Sequence, residues 1–286
     1  MRQTAKFLTA MVFFGTISLF VRNIPLPSKE IAFFRGAIAL VILLLFILIT
    51  KQYSSLKEII PQLPKLLLSG AFMGFNWILL FEAYHYTSVA IATLCYYFAP
   101  VLVLIFSTLL FKEHITCKKL LCFAGATLGL ILMIMTQKEQ TLGFRGILLG
   151  LGAALLYASV ILLNKAIPDI NAMTRTLFQF AAAIIILFPY ILLTGGFHIR
   201  EITSLGLINL LIVGVIHTGI MYVLYFSSLP KLKGQQAALL SYFDPLTAIT
   251  ISVLILKESI TWLQLTGGAL ILVTTFLSER TGKTSL

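Results

Sequence analysis

Apolar stretches of about 20 residues, the length a helix needs to cross a bilayer, follow one another along the chain with short polar joints. Ten can be read: Lys6–Val21, Pro27–Thr50, Lys65–Tyr84, Thr87–Phe111, Lys118–Gln137, Phe144–Asn164, Asn171–Leu193, Thr203–Ser227, Lys233–Leu256 and Ser259–Ser278. They use nearly the whole sequence. The pattern therefore predicts an all-α integral membrane protein of ten transmembrane helices, with no soluble domain. The first stretch follows Arg2 and Lys6 and lacks a clear small-residue cleavage site, so it reads as a span rather than a signal peptide.

The ten stretches fall into two similar sets. Tyr97-Phe98-Ala99-Pro100 recurs as Tyr242-Phe243-Asp244-Pro245, and Lys112-Glu113 recurs as Lys257-Glu258. Weaker matches at nearly the same shift pair Gly70 with Gly214, Phe34 with Phe178, and Ile24-Pro25 with Ile167-Pro168. A self-match at a fixed period marks an internal repeat, here residues 1–140 and 141–286. Each copy holds an odd number of spans, so the second must enter the membrane opposite to the first. That predicts two inverted-topology five-helix repeats about an axis in the membrane plane, with a site at mid-depth between them. Counting at about 1.5 Å per residue puts Asn76, Ala99-Pro100, Tyr157, His217 and Asp244-Pro245 near one level.

Composition agrees with the pattern. The chain is 59% apolar and 11% charged, with a mean hydropathy of +1.01, against roughly 45–50% and 25% in soluble domains. The net charge of +11 would suggest nucleic acid in a soluble protein; here it marks topology. With the N-terminus inside, fourteen Lys and Arg fall on the cytoplasmic side and six on the outer side, with Arg35 inside a span. This bias places both termini in the cytoplasm. Cys95, Cys117 and Cys122 suggest no disulfide framework, and His85, His114, His198 and His217 have no metal-ligand spacing. Phosphate-binding loops and nucleophile elbows are absent from the sequence. No cofactor and no metal are expected.

The candidate chemistry sits where polar groups interrupt apolar spans. Pro100 and Pro245 lack an N–H and clash with the carbonyls of Tyr96 and Ser241, which predicts kinks in spans four and nine that free two acceptors toward a cavity. Asp244 is a carboxyl at the bilayer centre, costing about 2.5–3.5 kcal/mol on insertion scales. It reads as a coupling-proton or substrate group, or as a structural hydrogen-bond acceptor. His217, at similar depth, is its candidate titrating companion or a satisfied core residue. Arg35 must be paired or snorkel; Glu82 is its expected partner, with an anion gate as the other reading. Asn76, Trp77, Tyr97, Tyr157, Tyr222, Ser241 and Tyr242 supply aromatic and hydrogen-bonding walls. Tyr84, Tyr86 and Tyr190 read as interfacial belt residues. Glu113 and Glu258 read as caps or interhelical pairs outside the site. Spans five and ten carry Gly125, Gly129, Gly267 and Gly268 and are expected as outer supports.

Taken in order, Glu82-Ala83-Tyr84…Thr87-Ser88-Val89-Ala90, Phe98-Ala99-Pro100 and Phe111-Lys112-Glu113 in the first copy resemble the EamA-type transporters of the drug/metabolite transporter superfamily. So do His217-Thr218-Gly219…Leu224-Tyr225-Phe226, Gly234-Gln235-Gln236-Ala237, Asp244-Pro245, Leu256-Lys257-Glu258 and Gln264-Leu265-Thr266-Gly267 in the second. The resemblance covers essentially the whole chain. It implies ten helices in two inverted halves that move amino acids, other small metabolites or drugs, often outward. Two positions depart from the pattern: Cys122 stands where Gly267 fills the second copy, and Ala99 and Asp244 precede the prolines where a glutamate is common.

These readings converge on an inner-membrane secondary transporter, and in the family's usual direction an exporter, for a small organic solute such as an amino acid, working by alternating access. Its partners are that solute, the bilayer and a proton gradient, without nucleic acid, as a monomer or homodimer. The alternative is an intramembrane enzyme acting on a lipid, with His217 and Asp244 as acid and base.

Overall fold

The computed structural model describes residues 2–51, 54–111, 117–135, 140–167, 170–232, 237 and 240–281. Among them every regular element is helical. α1 is Arg2–Val21 and α2 Ser28–Thr50; a short helical lead-in, Leu56–Ile59 and Ile60–Gln62, precedes α3, Leu63–Tyr86. α4 (Val89–Tyr96) and α5 (Ala99–Phe111) share the fourth predicted span. α6 is Cys117–Met135, α7 Gln140–Lys165 and α8 Ala172–Leu193. The eighth span is α9 (Ser204–Leu211), a π-helical stretch (Ile212–Ile220) and α10 (Met221–Ser228). α11 (Phe243–Leu254) and α12 (Trp262–Thr281) complete the chain. Among the described residues, seven segments are long and apolar enough to cross a membrane, and three shorter apolar helices lie within α6, α11 and α12. Lys112-Glu113, Pro168 and Gly234-Gln235-Gln236 fall outside the described residues.

Local sequence explains several boundaries. Ser88 and Asn171 accept hydrogen bonds from the amides of Ile91 and Met173, capping the orphan N–H groups of α4 and α8. Thr203 does the same for α9 through Gly206. α11 ends in a turn that places Lys257 at φ 54°, the left-handed region used at helix C-termini. That turn carries Glu258 back to α4, where it accepts from the amide of Val89. Glu258 also accepts from Ser252 and pairs with Arg22 at the end of α1. It therefore both caps a helix and pairs between helices.

The molecule is apolar outside and partly polar inside. Val41, Leu44, Leu45, Leu48 and Ile49 form an exposed ridge on α2, while Arg35, Ser69, Asn76, Gln179 and His217 are buried. So broad an exposed apolar surface fits a hydrocarbon solvent. Small residues set the close crossings. Gly129 rests on the carbonyl of Gly267 and Gly125 on Thr274, joining α6 to α12. Gly268 in turn meets Leu94. Gly214 and Gly219 receive Ile38 and Ile42, which seats α2 against the π-helical stretch. The glycine face expected on spans five and ten is present, and these two helices pack mainly on each other.

Candidate functional site

The expected kinks are breaks. α4 stops at Tyr96, the chain turns through Tyr97 and Phe98, and α5 begins at Ala99. Pro100 thus lies in the first turn of a new helix, where a missing N–H costs nothing. The predicted clash with the Tyr96 carbonyl does not arise, because the chain has already left the helix. In the second copy a turn at Tyr242 precedes α11, and the buried Pro245 again sits in the first turn. The two breaks meet. The Tyr97 hydroxyl donates to Asp244 Oδ2 at 2.8 Å, joining copies across 147 residues of sequence. α1 braces this point, since Gly15 lies directly against the carbonyl of Asp244.

Around that bond is a cluster of phenols. The hydroxyls of Tyr84, Tyr96 and Tyr222 lie within electrostatic reach of both Asp244 and Arg35. Tyr96 stacks on Tyr157 with ring centroids 5.2 Å apart. Asn76 is buried and donates to the Ala153 carbonyl at 2.6 Å, close to Tyr96. Tyr222 meets Phe14 and Phe180 edge-on, and Phe180 meets Trp77. Asp244, Tyr97, Tyr157, Asn76, Trp77, Tyr222 and Arg35 are thereby gathered into one region.

Arg35 does not pair with Glu82. Its guanidinium stands over Trp77 at 4.5 Å and Phe81 at 5.0 Å from the ring centroids, while Glu82 accepts from Ser28 at 2.7 Å. The reason is helical spacing. Trp77, Phe81 and Tyr84 follow at i, i+4 and i+7, so they share one inward stripe of α3; Glu82 projects from a different face. Tyr84 is correspondingly buried and is not a belt residue. The i, i+4, i+7 spacing from Trp77 was the signal that would have found both Phe81 and Tyr84.

His217 is not beside Asp244 either. Its Nε2 is 2.8 Å from Thr16 Oγ1 and its Nδ1 3.3 Å from the Ile212 carbonyl, with Phe20 and Phe13 packed on the ring. The π-helical stretch explains this. Its wider turn points side chains at carbonyls five residues back, as Thr218 also does toward Val213. His217 is thus held by α1 and its own helix. Tyr242 turns its ring edge-on to Phe276 of α12, and Ser241 sits half-buried beside it. A network not foreseen in the sequence centres on Gln179, whose Nε2 lies 2.6 Å from Ser69 Oγ and 2.7 Å from Asn164 Oδ1. Among the described residues no group of three His, Cys, Asp or Glu side chains is placed to hold a metal.

Fold and interior together define a polytopic helical membrane protein with a polar cluster between two repeated halves. The sequence matches the EamA-like transporter family twice, over residues 5–135 and 144–279, and the chain belongs to that family. An uncharacterized transporter YxxF of Bacillus subtilis (strain 168) is 34% identical over 253 residues, covering 86% of this chain and 79% of that one. An uncharacterized transporter of Archaeoglobus fulgidus is 30% identical over 278 residues, covering 96% of each. A solved crystal structure superposes with a TM-score of 0.65 at 17% identity over 97% of both chains; at that identity the likeness speaks to the fold alone. The protein is a multi-pass membrane protein of a transporter family, a class generally distinct from enzymes.

Proposed function

We propose that this protein is a secondary transporter for a small organic solute, an amino acid or related metabolite, worked by alternating access between residues 1–140 and 141–286. The hydrogen bond from Tyr97 to Asp244 carries the reading, because it joins the two helix breaks, one from each copy. Broken helices leave backbone and side-chain polar groups at mid-depth, where transporters of repeated architecture bind their cargo. On this reading the halves are inverted five-helix repeats in the cell membrane, with both termini cytoplasmic. Rocking of one half against the other makes and breaks the Tyr97–Asp244 contact. Asp244 then exchanges a proton when exposed to either side, and the drive is a proton gradient that moves the solute outward. Tyr96, Tyr157, Trp77, Tyr222 and Asn76 supply walls that stack on a solute and fix its polar groups.

Purified protein reconstituted in vesicles, with amino acids as the first solutes tried, tests this. Wild type should accumulate solute against its gradient when a pH difference is imposed. Asp244→Asn should still exchange solute at equal concentrations but lose the driven accumulation. Unchanged driven accumulation in that variant would reject proton coupling through Asp244. Absence of any flux across the panel, with product formed from bilayer lipid, would favour the enzyme reading instead.

A further inference from the structure

Arg35 is only 5% exposed, and its Nε is sealed from solvent with no hydrogen-bond partner. Neither terminal nitrogen hydrogen-bonds to a described residue, yet unlike Nε neither counts among the sealed unpartnered atoms. No carboxylate among the described residues forms an ion pair with it. Its ring contacts are the faces of Trp77 and Phe81, with the phenols of Tyr222, Tyr96 and Tyr84 within electrostatic reach. Cation–π contact answers the positive charge but leaves the N–H donors unused. A buried guanidinium presents five such donors in a rigid planar fork, which matches a carboxylate bidentately. Charges kept inside membrane spans face the interior, where they mark substrate or ion pathways.

We infer that Arg35 is the docking point for the carboxylate of the transported solute, and that this solute is a monocarboxylate with an apolar or aromatic body. The inference rests on the transporter reading and names the substrate class of the same site. Trp77, Phe81, Phe180 and Tyr222 form the apolar wall beside the fork. Asp244, which lies within electrostatic reach of the same three phenols, disfavours a second negative charge. The first copy therefore reads the anion, and the second holds the acid.

Trp77 lies against Arg35 and is one of two tryptophans; the other, Trp262, is 84% exposed at the start of α12. In the Trp262→Phe protein, tryptophan fluorescence comes from Trp77 alone, the ring that faces the Arg35 guanidinium. The probes are 3-phenylpropionate and hexanoate, each titrated beside its primary amide. Both acids should produce a saturable change that the amides do not. Arg35→Gln in the same background should weaken the acid response by about tenfold or more, the loss expected for charge-assisted hydrogen bonds. Arg35→Lys should retain a weaker saturable response, and monodisperse elution of Arg35→Gln separates loss of recognition from loss of fold. Equal responses to acid and amide, no response to either acid, or an acid response surviving Arg35→Gln would each overturn the inference. Vesicle flux distinguishes the two readings: a neutral solute carried equally by wild type and Arg35→Gln would sink carboxylate docking while upholding transport.

Discussion

Arg35 and Gln179 hold equivalent places in the two copies, one residue after Phe34 and Phe178, yet their surroundings are opposite. Gln179 is buried with its amide shared between Ser69 and Asn164. Arg35 is nearly as buried, but no described protein group accepts its N–H donors. A charge inside a span costs about 2.5–3.5 kcal/mol on insertion scales, and a cation–π contact offsets only about 0.5–2 kcal/mol. A second pair of equivalent positions repeats the contrast with the copies exchanged: Ala99 is apolar, and Asp244 carries the interior carboxyl. Duplication supplied one scaffold twice. One of the two equivalent positions is satisfied within the protein and the other is not, and the acid stands in the opposite half.

The contrast can be broken at several points. The largest loss should come from Gly70→Ala. Gly70 lies against the backbone carbonyl of Gln179 and the Cβ of Ala182, and neither can move aside as a flexible side chain would. Overpacking of this kind costs about 1–3 kcal/mol, so the variant should unfold at a clearly lower temperature in detergent. An unchanged melting temperature would mean that α3 and α8 are less tightly apposed than described. Gln179→Ala comes next. It strands Ser69 and Asn164, and leaving buried polar groups unsatisfied costs about 1–3 kcal/mol, read as a shift of the denaturation midpoint.

Tyr97→Phe removes one hydrogen bond between the copies and nothing else. A bond to a neutral or charged acceptor contributes about 0.5–3 kcal/mol, so a small stability loss is expected. Vesicle flux should fall more than stability does, because the bond joins the moving breaks; a variant equal to wild type in flux would detach Tyr97 from the transport cycle. Arg35→Gln makes the first copy resemble the second and should have the smallest effect on stability. Replacing an unpaired buried charge is often neutral or favourable, so its midpoint should stay within about 1 kcal/mol of wild type. A large destabilisation would show that Arg35 is a structural counterpart of Gln179 after all.

Much of the membrane architecture was legible in the chain. Long apolar runs force helices, because a backbone in hydrocarbon must satisfy its own hydrogen bonds. The Tyr-Phe-x-Pro repeat marked the two places where those helices fail. Asp244 stood out because an ionisable group at that depth is costly wherever it points. Partnership was less legible. Depth counting placed His217 level with Asp244, but depth says nothing about azimuth, and the π-helical turn rotates His217 toward Thr16 and Ile212. Likewise Arg35 and Glu82 matched in charge and in side of the membrane, while Glu82 lies off the α3 stripe formed by Trp77, Phe81 and Tyr84 and meets Ser28 instead. Sequence alone determined where polar groups interrupt the apolar spans, because that is a matter of one-dimensional spacing and transfer cost. Only the tertiary structure decided which of them meet, because helix rotation and close glycine crossings set side-chain direction, and direction decides that Tyr97 reaches Asp244 and that Arg35 is left with unused donors.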